Sequence, residues 1–179
     1  KNFVWFDMEG SKHTENTLSI FSKLHAKYPE TGIAIQSYLY RSEADVTKLI
    51  KDNAAVRLVK GAYKENSDIA FPEKKDVDRN FSALMKRLLL SGAYTAIATH
   101  DETLVNEAKK IASENKVPKD LFEFQMLLGI KRTLQSRLVE EGYHVRVYVP
   151  YGTHWLPYTM RRMTERKENV WFVLKNIFD

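Results

Sequence analysis

The 179-residue chain is 44% hydrophobic and 28% charged, with 7 Gly and 5 Pro. This is the composition of a folded domain, one that buries about two-thirds of its unfolded surface. It has no cysteine, which excludes disulfides, thiolate metal sites and a catalytic thiol, and no apolar run nears the roughly 18–20 residues that span a bilayer. The net charge of +5 comes from 28 Lys and Arg against 23 Asp and Glu without a basic block, so nucleic acid is not an expected partner.

Six strand-like runs follow one another at residues 3–6, 33–38, 56–59, 94–98, 122–127 and 145–149, each short, apolar and rich in Val, Ile, Phe or Tyr. Helical spacing fills the gaps. Thr17, Ile20, Phe21 and Leu24 share a face ahead of Tyr28-Pro29; residues 44–50 follow, with Ser42 as the expected N-cap. Phe81, Leu84, Met85 and Leu88 mark a third helix closed by Gly92, and Leu104, Ala108 and Ile111 a fourth ending near Val117-Pro118. A fifth covers 133–140 before Gly142, and a sixth is expected from about Pro157, whose missing N–H is harmless in a first turn.

Strict strand–helix alternation implies parallel strands with right-handed crossovers. An open doubly wound sheet and a closed (β/α)8 barrel both satisfy it. The first usually carries a Gly-rich phosphate loop after its first strand, but Asp7-Met8-Glu9-Gly10 stands there and no GxGxxG or GxxxxGK[ST] occurs. The barrel predicts functional groups at one strand exit after another. The exits read Asp7-Met8-Glu9, Gln36-Ser37-Tyr38, Lys60-Gly61-Ala62-Tyr63 and Thr99-His100-Asp101, with Arg57, Glu123, Gln125, Arg146 and Tyr148 inside later or neighbouring strands. A charged group in a buried strand costs several kcal/mol unless it is paired, so this succession points to a shared pocket above a barrel mouth.

The individual groups leave alternatives open. Asp7 and Glu9 share a strand face and suit an acid/base pair, a metal platform or ion pairs with Arg57 and Lys60; two nearby cations favour the ion pairs. His100 alone reads as a half-buried structural histidine. The five histidines are scattered, with no HxxxH or HxH beside a carboxylate, so no metal site is expected. Gly61 and Ala62 leave room for backbone to approach a flat or anionic ligand. Tyr158, Arg161, Arg162 and Glu165 fall three or four apart on a helix, where adjacent arginines either grip a carboxylate or form a solvated basic face.

The motifs FDMEG (6–10), IQSY (35–38), RLVKGAYKE (57–65), ATHD (98–101), FEFQML (122–127), RVYVPYG (146–152) and YTMRRMTE (158–165) resemble, in order and along the whole chain, the proline dehydrogenase family. The spacing of GTHWLPY (152–158) is closer to the stand-alone bacterial enzymes than to the long bifunctional ones.

The resemblance implies a distorted (β/α)8 barrel that binds FAD noncovalently, oxidises L-proline to Δ1-pyrroline-5-carboxylate and passes electrons to a quinone. Carried over residue by residue, Arg161 and Arg162 hold the substrate carboxylate, Asp7 belongs to the electrostatic network around the substrate, and Arg57 stands near the flavin ring. Met8, Gln36, Val59, Lys60, Gly61, Ala62, Thr99 and His100 match FAD contacts; Tyr148 packs on the substrate, with Tyr158 and Tyr63 as further candidates.

The expected location is cytoplasmic, with weak peripheral contact at the inner face of the bacterial plasma membrane, to which the basic surplus contributes. The apolar run at 170–178 is expected to pack on the barrel itself. Strand starts fall roughly 28 residues apart, the spacing of eight units in about 250 residues. With Lys1 in place of Met and the family's upstream substrate-site lysine not included, residues 1–179 are expected to be the C-terminal part of one barrel domain, about six of its eight units. The alternative is a truncated, non-catalytic barrel that binds flavin or a small carboxylate.

Overall fold

Alternating strands and helices are what the computed structural model contains; it describes residues 2–149 and 151–152. In chain order the elements are β1 (Val4–Phe6), α1 (Ser11–His25), β2 (Thr31–Gln36), α2 (Ser42–Lys51), β3 (Ala55–Val59), α3 (Lys74–Ser91), β4 (Thr95–Ala98), α4 (Glu102–Glu114), β5 (Phe122–Leu127), α5 (Arg132–Glu140) and β6 (His144–Tyr148). A 3₁₀ turn at Lys119–Leu121 leads into β5. The helix expected from about Pro157 and the run at 170–178 lie outside the described residues.

Every strand pair is parallel, and the sheet order is β1-β2-β3-β4-β5-β6 without a reversal. A doubly wound sheet reverses direction at a switch point and so takes helices on both faces. Sequential order with right-handed crossovers puts all helices on one side, which curls the sheet around the other. The described residues thus hold six consecutive strands of a β/α barrel with the five α-helices that connect them.

The pleat divides the strand residues into two sets. Ile33, Ile35, Val56, Leu58, Ile97, Phe122, Phe124 and Met126 join Phe21, Leu49, Phe81, Leu84, Met85, Leu88, Val105 and Leu138 from the helices in one core. The alternate residues face the concave side, where Gly32 packs so closely beneath Trp5 that a Cβ would overlap the indole. Arg57, Glu123, Gln125 and Arg146 belong to this second set.

Element ends follow local chemistry. Gly92 (φ +81°) closes α3 in the left-handed conformation, as its place in the sequence predicts. Asp101 caps α4, its side chain accepting from Thr103 N at 3.1 Å. The expectation for Ser42 is corrected: Arg41 is the N-cap of α2, while the Ser42 hydroxyl lies within the helix and donates to the Gln36 carbonyl. That bond fastens the start of α2 beneath the exit of β2.

Candidate functional site

The centre of the concave face is Arg57. β3 projects it inward, and its neighbours in register are Ala34 and Ala96, whose small side chains leave a guanidinium room to lie over the sheet. Its Nη1 donates to Asp7 Oδ1, and its guanidinium carbon lies 4.9 Å from the centre of the Trp5 ring. The Arg57 side chain is 14% exposed against 67% for Asp7, so the pair orients the arginine more than it stabilises the fold. Nε of Arg57 is buried with no hydrogen-bond acceptor among the described residues. The expected ion pair of Asp7 with Arg57 is present, although Asp7 lies one residue past the end of β1 and not within it.

The expectation that Lys60 shares those carboxylates is corrected. Its Nζ lies 2.6 Å from Asp78 of α3 and 3.1 Å from Asp101 at the head of α4. Two carboxylates to the side of β3 outcompete Asp7 and Glu9, which meet other partners first. Burial pushes the Asp78 and Asp101 carboxyls up, but hydrogen bonding and charge from Lys60, with Lys74 assisting, hold both below the ordinary range.

Glu9 also departs from the ion-pair expectation. Its carboxylate accepts from the Tyr63 hydroxyl, and its backbone carbonyl accepts from Gln36 Nε2 at 3.0 Å. Met8 and Gln36 are buried beside it. The β2 exit is stitched to the β3 exit by Ser37 N on Val59 O (2.8 Å) and Tyr38 N on Lys60 O (2.9 Å). Directly there, Gly61 adopts φ +112° with the Tyr38 ring pressed against its Cα, so a Cβ would overlap that ring. The close approach that Gly61 permits is therefore first to Tyr38. Ala62 and Tyr63 continue the loop.

On the next two strands, Thr99 is buried and its hydroxyl accepts from Asp101 N at 3.1 Å. His100 Nε2 accepts from Leu127 N at 2.9 Å, joining the β4 exit to β5. A ring nitrogen that accepts is unprotonated, and burial, with help from Lys131, pushes this imidazole down to about 4. His100 is thus a neutral imidazole with its proton on Nδ1.

Glu123, Gln125 and Arg146 form a separate group on the concave face, with Glu123 in register with Ala96, the β4 neighbour of Arg57. Glu123 is 3% exposed and its Oε1 accepts from Gln125 Nε2 (2.6 Å) and Arg146 Nε (2.7 Å). Tyr94 joins them by a hydrogen bond; burial and then Glu123 push its phenol up to about 12. These residues answer one another. Tyr148 ends β6 and is exposed. Tyr158, Arg161, Arg162 and Glu165 lie outside the described residues.

Sequence reasoning missed Trp5, Asp78, Tyr94 and Glu65. Glu65 Oε1 and Oε2 accept from the backbone N–H and hydroxyl of Ser11, both at 2.7 Å, across 54 residues of chain. Only the RLVKGAYKE motif contained a signal for it.

The arrangement concentrates cations, carboxylates and close-packed backbone at the strand exits of a barrel, where such folds place their chemistry. Comparison with known proteins bears on the family of the chain. Proline dehydrogenase 1 of Bacillus subtilis (strain 168) is 48% identical over 174 residues, covering 97% of this chain and 58% of that protein. Proline dehydrogenase of Deinococcus radiodurans is 42% identical over 177 residues, 98% of this chain and 57% of that protein. The chain thus spans somewhat more than half the length of these curated relatives.

Among solved structures, proline utilization A (PutA) from Bdellovibrio bacteriovorus inactivated by N-propargylglycine superposes with a TM-score of 0.84 at 28% identity, covering 93% of this chain and 20% of that one. PutA from Corynebacterium freiburgense shares the fold with a TM-score of 0.82 at 23% identity. Residues 1–175 match the sequence model of the proline dehydrogenase family, and the chain belongs to that family.

Proposed function

We propose that the strand-exit cluster binds FAD and oxidises L-proline to Δ1-pyrroline-5-carboxylate, with a quinone as final electron acceptor. The observation that carries this is Arg57: a cation fixed by Asp7 and Trp5, with a buried Nε–H that lacks an acceptor among the described residues. A buried donor left unpaired costs about 1–3 kcal/mol, which a ligand acceptor placed there would recover. The residues present fit a flavin in this respect. When bound, FAD supplies the acceptor for the hydride lost from the carbon beside the proline nitrogen.

The chain's own residues hold and orient. Arg57 offers positive charge and a directed N–H where negative charge accumulates during reduction. Met8, Gln36, Val59, Lys60, Gly61, Ala62, Thr99 and His100 form the remainder of the proposed cofactor wall. With His100 neutral, and Lys60 and Lys74 together balancing Asp78 and Asp101, most of this wall adds no net charge next to Arg57. Asp7 fixes Arg57 and is proposed to face the proline side. Tyr148 and Tyr63 are proposed substrate contacts. Arg161 and Arg162, with Tyr158, are proposed to hold the carboxylate by forked hydrogen bonds; this assignment rests on sequence resemblance. Proline must lose its ammonium proton before hydride can leave, so the site has to accept the neutral amine.

The quinone acceptor implies peripheral contact between a cytoplasmic enzyme and a membrane, which the +5 net charge supports. No helix among the described residues is long and apolar enough to cross one.

The test uses the full-length protein. It should purify yellow, bleach anaerobically on adding proline, and reduce a quinone analogue. Arg57→Met should lower turnover by about 10²-fold, the scale for removing one preorganised charge-stabilising donor. Arg161→Met or Arg162→Met should raise KM for proline strongly. A protein that binds FAD yet is not bleached by proline overturns the reading.

A further inference from the structure

The loop that follows β3 carries Lys60, Gly61, Ala62 and Tyr63 across the strand exits, and it is fastened at its far end by a residue with no part in the chemistry proposed above. Helix α1 begins at Ser11 after Gly10, and no side chain from its own first turn or N-cap satisfies its leading N–H groups. Glu65 does so from the β3 loop. One carboxylate oxygen takes the Ser11 N–H and the other the Ser11 hydroxyl, each at 2.7 Å. A carboxylate at a helix N-terminus is favoured by the helix dipole as well as by the two hydrogen bonds. The Ser11 donors accordingly hold the Glu65 carboxyl below its ordinary range.

Two residues back along the same loop, the Tyr63 hydroxyl reaches the Glu9 carboxylate, two residues back from Ser11 on the other. The two contacts run side by side. Glu9 is itself fixed through its carbonyl by buried Gln36 (3.0 Å). The β1 loop and the β3 loop are therefore clasped across the top of β2, with Tyr63 in one clasp and Glu65 in the other.

We propose that Glu65 is a positioning residue: by capping α1 from the β3 loop it holds Tyr63 on Glu9 and so sets the affinity of the strand-exit pocket for its amino-acid substrate. This rests on the proline-oxidising reading for its consequence, but not for the clasp. A residue that places a substrate contact without touching reacting atoms should weaken ground-state and transition-state binding alike, raising KM and sparing kcat. A residue that merely stabilises the fold moves neither in the folded enzyme.

The experiment compares full-length wild type, Glu65→Ala, Glu65→Asp and Ser11→Ala by amide hydrogen exchange and by steady-state kinetics with proline. Glu65→Ala should speed exchange at residues 61–66 by about tenfold, the scale of one lost hydrogen bond to a charged group, with β3 and α3 unchanged. KM for proline should rise about fivefold or more with kcat within about twofold, and Glu65→Asp should restore part of both. Ser11→Ala combined with Glu65→Ala should cost less than the sum of the two alone. Unchanged exchange at 61–66, or full additivity, overturns the clasp. Looser exchange with an unchanged KM overturns its role in substrate affinity. A wild type that proline does not reduce overturns the functional reading, while the exchange result still decides the clasp.

Discussion

The convex and concave faces of the sheet come from the same strands, residue by residue in alternation, yet they obey different rules. On the convex face Ile33, Val56, Leu58, Ile97 and Phe124 are fully buried under helices and have only volume to satisfy. On the concave face Arg57 and Glu123 must each find a partner, because a buried charge without one is costly, and they find exposed Asp7 and half-exposed Arg146. The first face sets stability and tolerates no holes. The second sets chemistry, and its energies lie in orientation more than in area.

The sharpest way to break that division is to exchange the expected effects. Phe81 of α3 is fully buried against the convex face, so Phe81→Ala should cost about 3–5 kcal/mol in urea denaturation. Arg57→Met should cost no more than about 1 kcal/mol, because its carboxylate partner is mostly in water, while it impairs turnover as described above. A concave-face variant that unfolds as readily as Phe81→Ala would end the distinction.

Gly61 sharpens it, because there the two rules meet in one backbone position. Gly61→Ala has to adopt φ +112° and intrude on the Tyr38 ring, and should cost about 1–3 kcal/mol. Flavin affinity should fall with it, since the Tyr38 amide is bonded to Lys60 O. Equilibrium dialysis against FAD at a temperature where the variant remains folded separates the two losses.

Much of the convex face was legible in the sequence, because burial of one face imposes its period on strand and helix alike. Gly92 and Gly142 announced two helix ends through their left-handed backbone. The start of β2 was hidden by Thr31 and Gly32, the latter being small because it faces Trp5 and not because the chain turns. The start of α1 was hidden by Lys12, His13, Glu15 and Asn16, which make its first two turns largely polar, and its cap comes from Glu65, far along the chain.

On the concave face, charge counting found the pairing of Asp7 with Arg57. It misassigned Lys60, because Asp78 and Asp101 approach from α3 and the head of α4, elements that sequence spacing does not bring together. Motifs mark which residues gather at the exits; which carboxylate reaches which cation depends on helix placement that only the fold supplies.

His100 gives the smallest effect and the one with a definite sign. Its Nε2 accepts from Leu127 N, so folding requires the neutral ring, and burial with Lys131 lowers its folded value to about 4 from the ordinary 6.5. Between those values the unfolded chain takes up a proton that the folded protein refuses. The stabilisation is therefore intact above about 6.5 and declines as pH falls toward about 4, by at most about 1.4 kcal/mol per pH unit for one proton. The depressed carboxylates Glu65, Asp78 and Asp101 lose their contribution as pH falls through and below their ordinary values of 4.5, 3.8 and 3.8, which lie beneath the interval from pH 7 to 5. His100→Gln keeps an acceptor for the Leu127 amide and removes the titration. Chemical denaturation at pH 7, 6 and 5 should show wild type losing more stability than His100→Gln over the interval. Parallel losses would mean that the imidazole titrates freely, and that the bridge from the β4 exit to β5 is not what holds this part of the rim.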